Sequence, residues 1–181
     1  VPIGVSARHV HLNREDLDIL FGKEYELTLY RELSQPDQFA AEETVKLIGP
    51  KGQYDKVRVL GPLRPKTQAE ISMTDSMALG IKAPLRESGN LYETPGIIIS
   101  GPKGSVTLNS GLIIAARHIH FHSSDALQYG IMDKQELRVQ IEGSRGCILH
   151  HVIARVSDQF KLELHLDTDE ANAFGVKTGD M

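Results

Sequence analysis

Cysteine is nearly absent from this chain of 181 residues, and the one that occurs, Cys147, excludes an intrachain disulfide framework and fits a reducing compartment. A lone thiol is more often a small buried hydrophobe than a nucleophile, so Cys147 is expected in a strand and outside the chemistry. Long apolar runs are also missing. None approaches the roughly 20 residues that a membrane-spanning helix needs, and Val1-Pro2-Ile3-Gly4 carries no basic-then-apolar leader pattern, so a cytoplasmic protein without membrane contact is expected. Nor is there a long basic run. With 24 acidic residues against 20 basic ones the formal net charge is −4, which argues against non-specific nucleic-acid binding, whose affinity comes from neutralised phosphates. A small-molecule substrate is expected instead.

The composition that is present, 40% apolar and 24% charged, is that of a folded globular protein able to bury a core. The length admits one compact unit or two small barrels. An internal repeat favours two. Ala7-Arg8-His9-Val10-His11-Leu12 returns almost letter for letter, at an offset of 109 positions, as Ala116-Arg117-His118-Ile119-His120-Phe121. Asp16 then aligns with Asp125, Leu27 with Leu137 after a one-residue adjustment, and Gly49-Pro50-Lys51-Gly52 with Gly143-Ser144-Arg145-Gly146. Further on, Glu70-Ile71-Ser72-Met73-Thr74-Asp75 aligns with His165-Leu166-Asp167-Thr168-Asp169-Glu170, which makes Glu70 and His165 equivalent positions.

Four segments share one local grammar: a polar cap, about one and a half helical turns, and a glycine stop. Asn13, Thr74, Ser123 or Ser124, and Thr168 are the expected N-caps, with Gly22, Gly80, Gly130 and Gly175 as left-handed stops. Helices so short cannot build a bundle core. The remainder reads as strands over 45–48, 57–60, 96–100, 112–115, 137–141, 147–156 and 161–166, with 35–43 and 86–95 as polar loops. The expected fold is mainly β, two small β-barrels capped by short α-helices and related by the repeat. After Gly175-Val176 the chain ends at Met181 where the repeat predicts another strand, and Val1 is not an initiator, so both ends read as cut.

His-x-His on a strand places both imidazoles on one face, with Cα atoms about 7 Å apart, close enough to converge on one ion. Neutral imidazole is a good donor to zinc, and three protein donors with one open position is the usual catalytic arrangement. The repeat supplies the third donor. His9, His11 and Glu70 form one expected metal site, and His118, His120 and His165 a second. His122 and the adjacent pair His150-His151, which should point to opposite strand faces, are expected to be structural or solvated. The most basic stretch runs from Lys51 through Lys56, Arg58 and Arg64 to Lys66. A solvated strand face accounts for Lys51 and Lys56. Arg64 stands apart, because Pro62 and Pro65 stiffen its loop six residues before Glu70, where a planar fork can grip a phosphate beside a metal.

Four ordered segments carry a family resemblance over almost the whole chain: Ser-Ala-Arg-His-Val-His-Leu, Gly-Pro-Leu-Arg-Pro-Lys-Thr-Gln-Ala-Glu-Ile-Ser, Ala-Ala-Arg-His-Ile-His, and Leu-Glu-Leu-His-Leu-Asp-Thr-Asp-Glu-Ala-Asn. In these the chain resembles the PduL-type phosphate propanoyltransferases, the phosphotransacylases of bacterial microcompartments that serve propanediol degradation. The resemblance implies a central barrel over 8–115 and a second barrel of 1–7 with 116–181, the first strand joining the C-terminal half. It implies two zinc ions per chain in a dinuclear site between the barrels, held by the same six residues. It also implies Arg64 as the phosphate-contacting arginine, coenzyme A contacts at Val5, Ser6, Ala7, Arg58 and Asn172, a homodimer, microcompartment proteins as partners, and residence in the microcompartment lumen. The activity implied is reversible conversion of propanoyl-CoA and inorganic phosphate to propanoyl phosphate and coenzyme A, with no covalent acyl-enzyme. Two other readings of the histidines stay open: a metal-dependent hydrolase, although an eight-stranded α/β barrel needs about 250 residues, and a zinc-binding module without catalysis.

Overall fold

The computed structural model describes residues 1–181. In chain order the first half holds β1 (Ile3–Ser6), β2 (His9–His11), α1 (Arg14–Phe21), β3 (Leu29–Glu32), β4 (Phe39–Ile48), β5 (Gln53–Gly61), β6 (Gln68–Glu70), α2 (Met73–Leu79) and β7 (Leu85–Arg86). The second half holds β8 (Ile98–Ser100), β9 (Ser105–Thr107), β10 (Leu112–Ala115), β11 (His118–Phe121), α3 (Ser123–Tyr129), β12 (Glu136–Ile141), β13 (Cys147–Val156), β14 (Glu163–Asp167) and α4 (Thr168–Phe174). The protein is mainly β with four short helices, and none of those helices is long and apolar enough to cross a membrane.

The chain divides into two compact units. One consists of Arg8–Leu33 and Asp37–Ala115, with strands in the order β7-β10-β6-β2-β5-β4-β8-β9 and β3 added to β4. Along β4 and β5 burial alternates, so that Val45 and Leu47 face inward with Val57 and Val59, and they meet Val10, Leu17, Leu20, Ile99 and Leu112 in one core. The other unit consists of Val1–Ala7, Ser34–Pro36 and Ala116–Met181, with strands in the order β1-β14-β11-β13-β12. Its core gathers Ile3, Ile119, Phe121, Leu149, Val152, Leu164 and Leu166. In both units the ladders trace open paths.

Each unit is organised around the same three-strand arrangement. β2 pairs in parallel with β5 and antiparallel with β6, and β11 pairs in parallel with β13 and antiparallel with β14. In the first arrangement His9 lies opposite Glu70 and His11 opposite Gln68; in the second His118 lies opposite His165 and His120 opposite Glu163.

Several details differ from the sequence reading. The helices run for two turns rather than one and a half, and three of the four caps lie earlier than expected. Asn13 caps α1, but Ser72 caps α2, His122 caps α3 and Asp167 caps α4. For α2 and α4 the reason is the reciprocal capping box, in which Asp75 and Glu170, three residues on, accept from the cap backbone amide. Gly80, Gly130 and Gly175 are left-handed, whereas Gly22 ends α1 at φ 116° and ψ 155°, a different conformation that still needs glycine. Residues 39–43, read as loop, open β4. The two glutamates at 42–43 hid a strand whose Glu43 is buried and satisfied by the Tyr25 hydroxyl at 2.8 Å and the Thr28 amide. His150 and His151 do not point to opposite faces. A bulge places both opposite Arg138, with His151 at φ 56°, and both side chains are exposed.

Removal of the α4 cap by Asp167→Ala is expected to cost about 1 kcal/mol, seen as a lower urea midpoint. Thr168→Ala, one residue inside the helix, is expected to lower it by less than half as much.

Candidate metal centres

Val10 at the middle of β2 points into the core with no exposed surface, which turns His9 and His11 together to the other face. Register with β6 then brings in the third side chain. Donor atoms of His9, His11 and Glu70 all lie within 4.8 Å of one another, and all three residues are buried. His9 Nε2 is 3.5 Å from Glu70 Oε2, and His11 Nε2 is 3.7 Å from Glu70 Oε1.

Glu70 is gripped from behind. Its Oε1 accepts from Gln68 Nε2 and, at 2.7 Å, from Ser88 Oγ, while Gln68 Oε1 accepts from the Gly89 amide. Burial alone would raise the Glu70 pKa, but the charge and hydrogen bond of His9, the charge of His11 and the Ser88 hydroxyl outweigh it and hold the carboxyl well below its ordinary value. His11 moves down as well, first through burial and then through repulsion from His9. An ionised carboxylate beside a neutral imidazole is the protonation state that divalent cations require.

Arg64 belongs to the same network. Its loop leaves β5 through a cis Gly61–Pro62 bond, its backbone amide donates to Leu12 O at 2.9 Å, and its Nη1 donates to Ser88 Oγ at 3.0 Å and lies 4.0 Å from Glu70 Oε1. Sequence reasoning missed Gln68 and Ser88. Gln68 had a signal, since it stands two residues before Glu70 on the same strand face. Ser88 had none, because it reaches the site from the loop after β7.

The second cluster joins His118, His120 and His165, whose donor atoms also lie within 4.8 Å of one another. His118 Nδ1 bonds Ala116 O at 2.8 Å, which leaves Nε2 as the nitrogen with the lone pair. His120 Nδ1 and His165 Nε2 are 3.3 Å apart. Two donors at about 2.0–2.1 Å from a tetrahedral ion stand about 3.3 Å from each other, so the spacing fits a shared cation. Burial, followed by the charges of His118, His165 and Arg155, lowers the His120 pKa to about 2. Glu163, also unforeseen, places Oε2 2.8 Å from His165 Nε2. Although burial opposes it, the hydrogen bonds from His165 and Ser34 hold Glu163 at about 2.

The residues expected to contact coenzyme A divide between the two units. Val5 and Asn172 line one cavity of about 450 Å³ with Lys177 and Thr178, and the Val5 amide donates to Thr178 Oγ1 at 3.0 Å. Ser6 ends β1 and Ala7 follows it, and neither lines this cavity. Arg58 lies in the other unit, where Nη1 donates to Ala41 O and Glu42 O and the guanidinium sits 4.8 Å from the Tyr30 ring centre. His122 lies outside both clusters; its Nδ1 accepts from the Ser124 amide at the start of α3.

A family model described as phosphate propanoyltransferase matches residues 2–177. The chain belongs to the phosphate propanoyltransferase family. Among its relatives, the phosphate propanoyltransferase of Thermotoga maritima is 55% identical over 180 residues, covering 99% of this chain and 86% of that protein. That of Rhodopseudomonas palustris is 52% identical over 181 residues, covering 100% and 80%, and that of Priestia megaterium is 54% identical over 180 residues, covering 99% and 83%. This phosphate propanoyltransferase family member is therefore an enzyme of the acyltransferase class.

In the metal-free enzyme, the unfolded chain takes up a proton at His120 below about pH 6.5 that the folded chain refuses until about pH 2. Stability is therefore expected to fall as pH falls through 6 and 5, before the carboxylates titrate. Urea midpoints measured between pH 7 and 5 in the presence of chelator check this, and His120→Asn should flatten the slope.

Proposed function

We propose that the chain moves a propanoyl group reversibly between coenzyme A and inorganic phosphate, with zinc held by His9, His11 and Glu70 and by His118, His120 and His165. The observation that carries the reading is Arg64, an arginine fork held by Ser88 within 4.0 Å of a buried carboxylate that itself belongs to a three-donor cluster. Planar bidentate recognition of phosphate is what arginine does best, and the network fixes where the fork sits. A zinc ion bound at such a site would supply Lewis acidity for the thioester oxygen and a soft partner for the thiolate.

This chain's own residues do the rest. Arg64 orients phosphate so that an oxygen faces the thioester carbon, which converts an encounter of two solutes into a positioned reaction. The C–S bond of propanoyl-CoA breaks as the C–O bond to phosphate forms; the electron pair leaves on sulfur, and no covalent acyl-enzyme is needed. Cavity residues Val5 and Asn172 support a coenzyme A contact in the unit of the second cluster, with Lys177 adding positive charge for a phosphate of that ligand. Ser6, Ala7 and Arg58 enter the same proposal through the family resemblance.

The three-strand arrangement shared by both units supports reading them as two small barrels produced by duplication, over 8–115 and over 1–7 with 116–181. Homodimer formation, partnership with microcompartment proteins and residence in the microcompartment lumen among the enzymes of propanediol degradation belong to this proposal and rest on the resemblance.

The test is release of thiol from propanoyl-CoA by the metal-loaded protein. Release should require phosphate, stop on chelation, and fall about a hundredfold or more in Arg64→Ala. Release without phosphate would identify a hydrolase. No release at full metal occupancy would identify a non-catalytic zinc module.

A further inference from the structure

Setting the two clusters side by side in register shows an exchange. On β6 the pair is Gln68 and Glu70, with the carboxylate at the donor position and the amide two residues before it. On β14 the pair is Glu163 and His165, with the imidazole at the donor position and the carboxylate two residues before it. Each cluster thus has one buried carboxylate on its antiparallel strand, but in the second it stands beside the three donors rather than among them.

Glu163 is placed with care. The residue is 6% exposed, and three groups converge on its Oε2: His165 Nε2 at 2.8 Å, Ser34 Oγ at 2.5 Å and Gln35 Nε2 at 3.2 Å. Gln35 is itself fixed, since its Nε2 donates to Lys161 O at 2.9 Å and its Oε1 accepts from the Lys161 amide at 3.1 Å. These contacts hold residues Ser34–Pro36 in the unit that contains β14. On β1, Gly4 lies opposite His165, and a Cβ there would come 2.8 Å from the Glu163 Cδ. Glycine at this position is what leaves room for the carboxylate. A buried negative charge provided with a tailored space, two neutral donors and an imidazole is not explained by core packing, because a neutral residue would fit with less desolvation.

We propose that Glu163 is the positioning and charge-balancing carboxylate of the second metal centre. It orients the His165 ring through Nε2 while the site is empty, and it stands as the nearby negative charge for a divalent cation whose three protein donors are all neutral. Ser34 and Gln35 keep it in place, and Gly4 admits it. The proposal rests on the metal-site reading above.

The test isolates this centre with His9→Ala and His11→Ala in the full chain and measures zinc affinity by competition with a chromophoric chelator. Glu163→Gln on that background should weaken zinc binding by about 10- to 100-fold, the range seen for outer partners of metal ligands. Ser34→Ala, which leaves the charge but removes one hydrogen bond, should weaken it by a smaller factor. Circular dichroism in chelator checks that the variants fold. If Glu163→Gln does not fold, Gly4→Ala, which displaces the carboxylate while keeping its charge, and Ser34→Ala replace it as deciding variants. Zinc bound equally tightly with and without these changes would overturn the role of Glu163 alone. A background chain that takes up no zinc at all would overturn the metal-site reading and this proposal with it.

Discussion

A short strand held between one parallel and one antiparallel neighbour governs everything else in this protein. Three residues of β2 and four of β11 are too few to be stable by themselves, and each gains its place from two ladders and from one apolar side chain, Val10 or Ile119, anchored in the core. With that residue turned inward, the flanking histidines have to share the opposite face. The antiparallel neighbour then sets a third donor directly across from the first histidine, Glu70 in one case and His165 in the other. Neither donor set depends on a loop conformation, so its spacing is as rigid as the sheet itself.

Around these strands the protein assembles polar groups that would be costly to bury singly. Gln68, Ser88 and Arg64 engage one carboxylate, while Ser34, Gln35 and His165 engage another. Each network surrounds its carboxylate mainly with neutral donors, which help to hold it in the ionised form. Desolvation therefore acts on the two residue types in a complementary way: it disfavours protonated His11 and His120, while the charges and hydrogen bonds of His9, His11 and Ser88 overcome it for Glu70 and hydrogen bonds led by His165 overcome it for Glu163.

Much of this was legible from residue order because the repeat speaks to spacing. Two His-x-His motifs and the alignment of Glu70 with His165 were enough to name two groups of three residues, and those residues stand together in space. Strands rich in apolar and β-branched letters, such as 112–115 and 147–156, were read at their true limits. Legibility ended where the physics is not periodic. The start of β4 was hidden because Glu43 is a buried acid with local partners, the caps moved because a capping box outweighs a nearer threonine, and a bulge turned His150 and His151 outward together. Ser88, Ser34 and Gln35 lie far along the chain from the carboxylates they hold, and no spacing rule connects them. Of the residues expected to contact coenzyme A, Val5 and Asn172, far apart in the chain, line one cavity.

The pairing of β1 has a bearing on how the chain is born. Ile3 pairs in register with Leu164, and its own backbone groups meet Gly179 and Asp180, so β1 has no native partner until β14 has been synthesised. The unit built on residues 8–115 faces no such delay. Synthesis from the N-terminus would let that unit mature while β1 waits as an unpaired edge, the kind of segment that is prone to wrong partners. Gly4 adds to the need for correct timing, since the space it leaves is filled only when β14 brings in a charged side chain. A site that draws on both β1 and β14 can thus be completed only after residues 8–115, which lie between them in the chain, have been made.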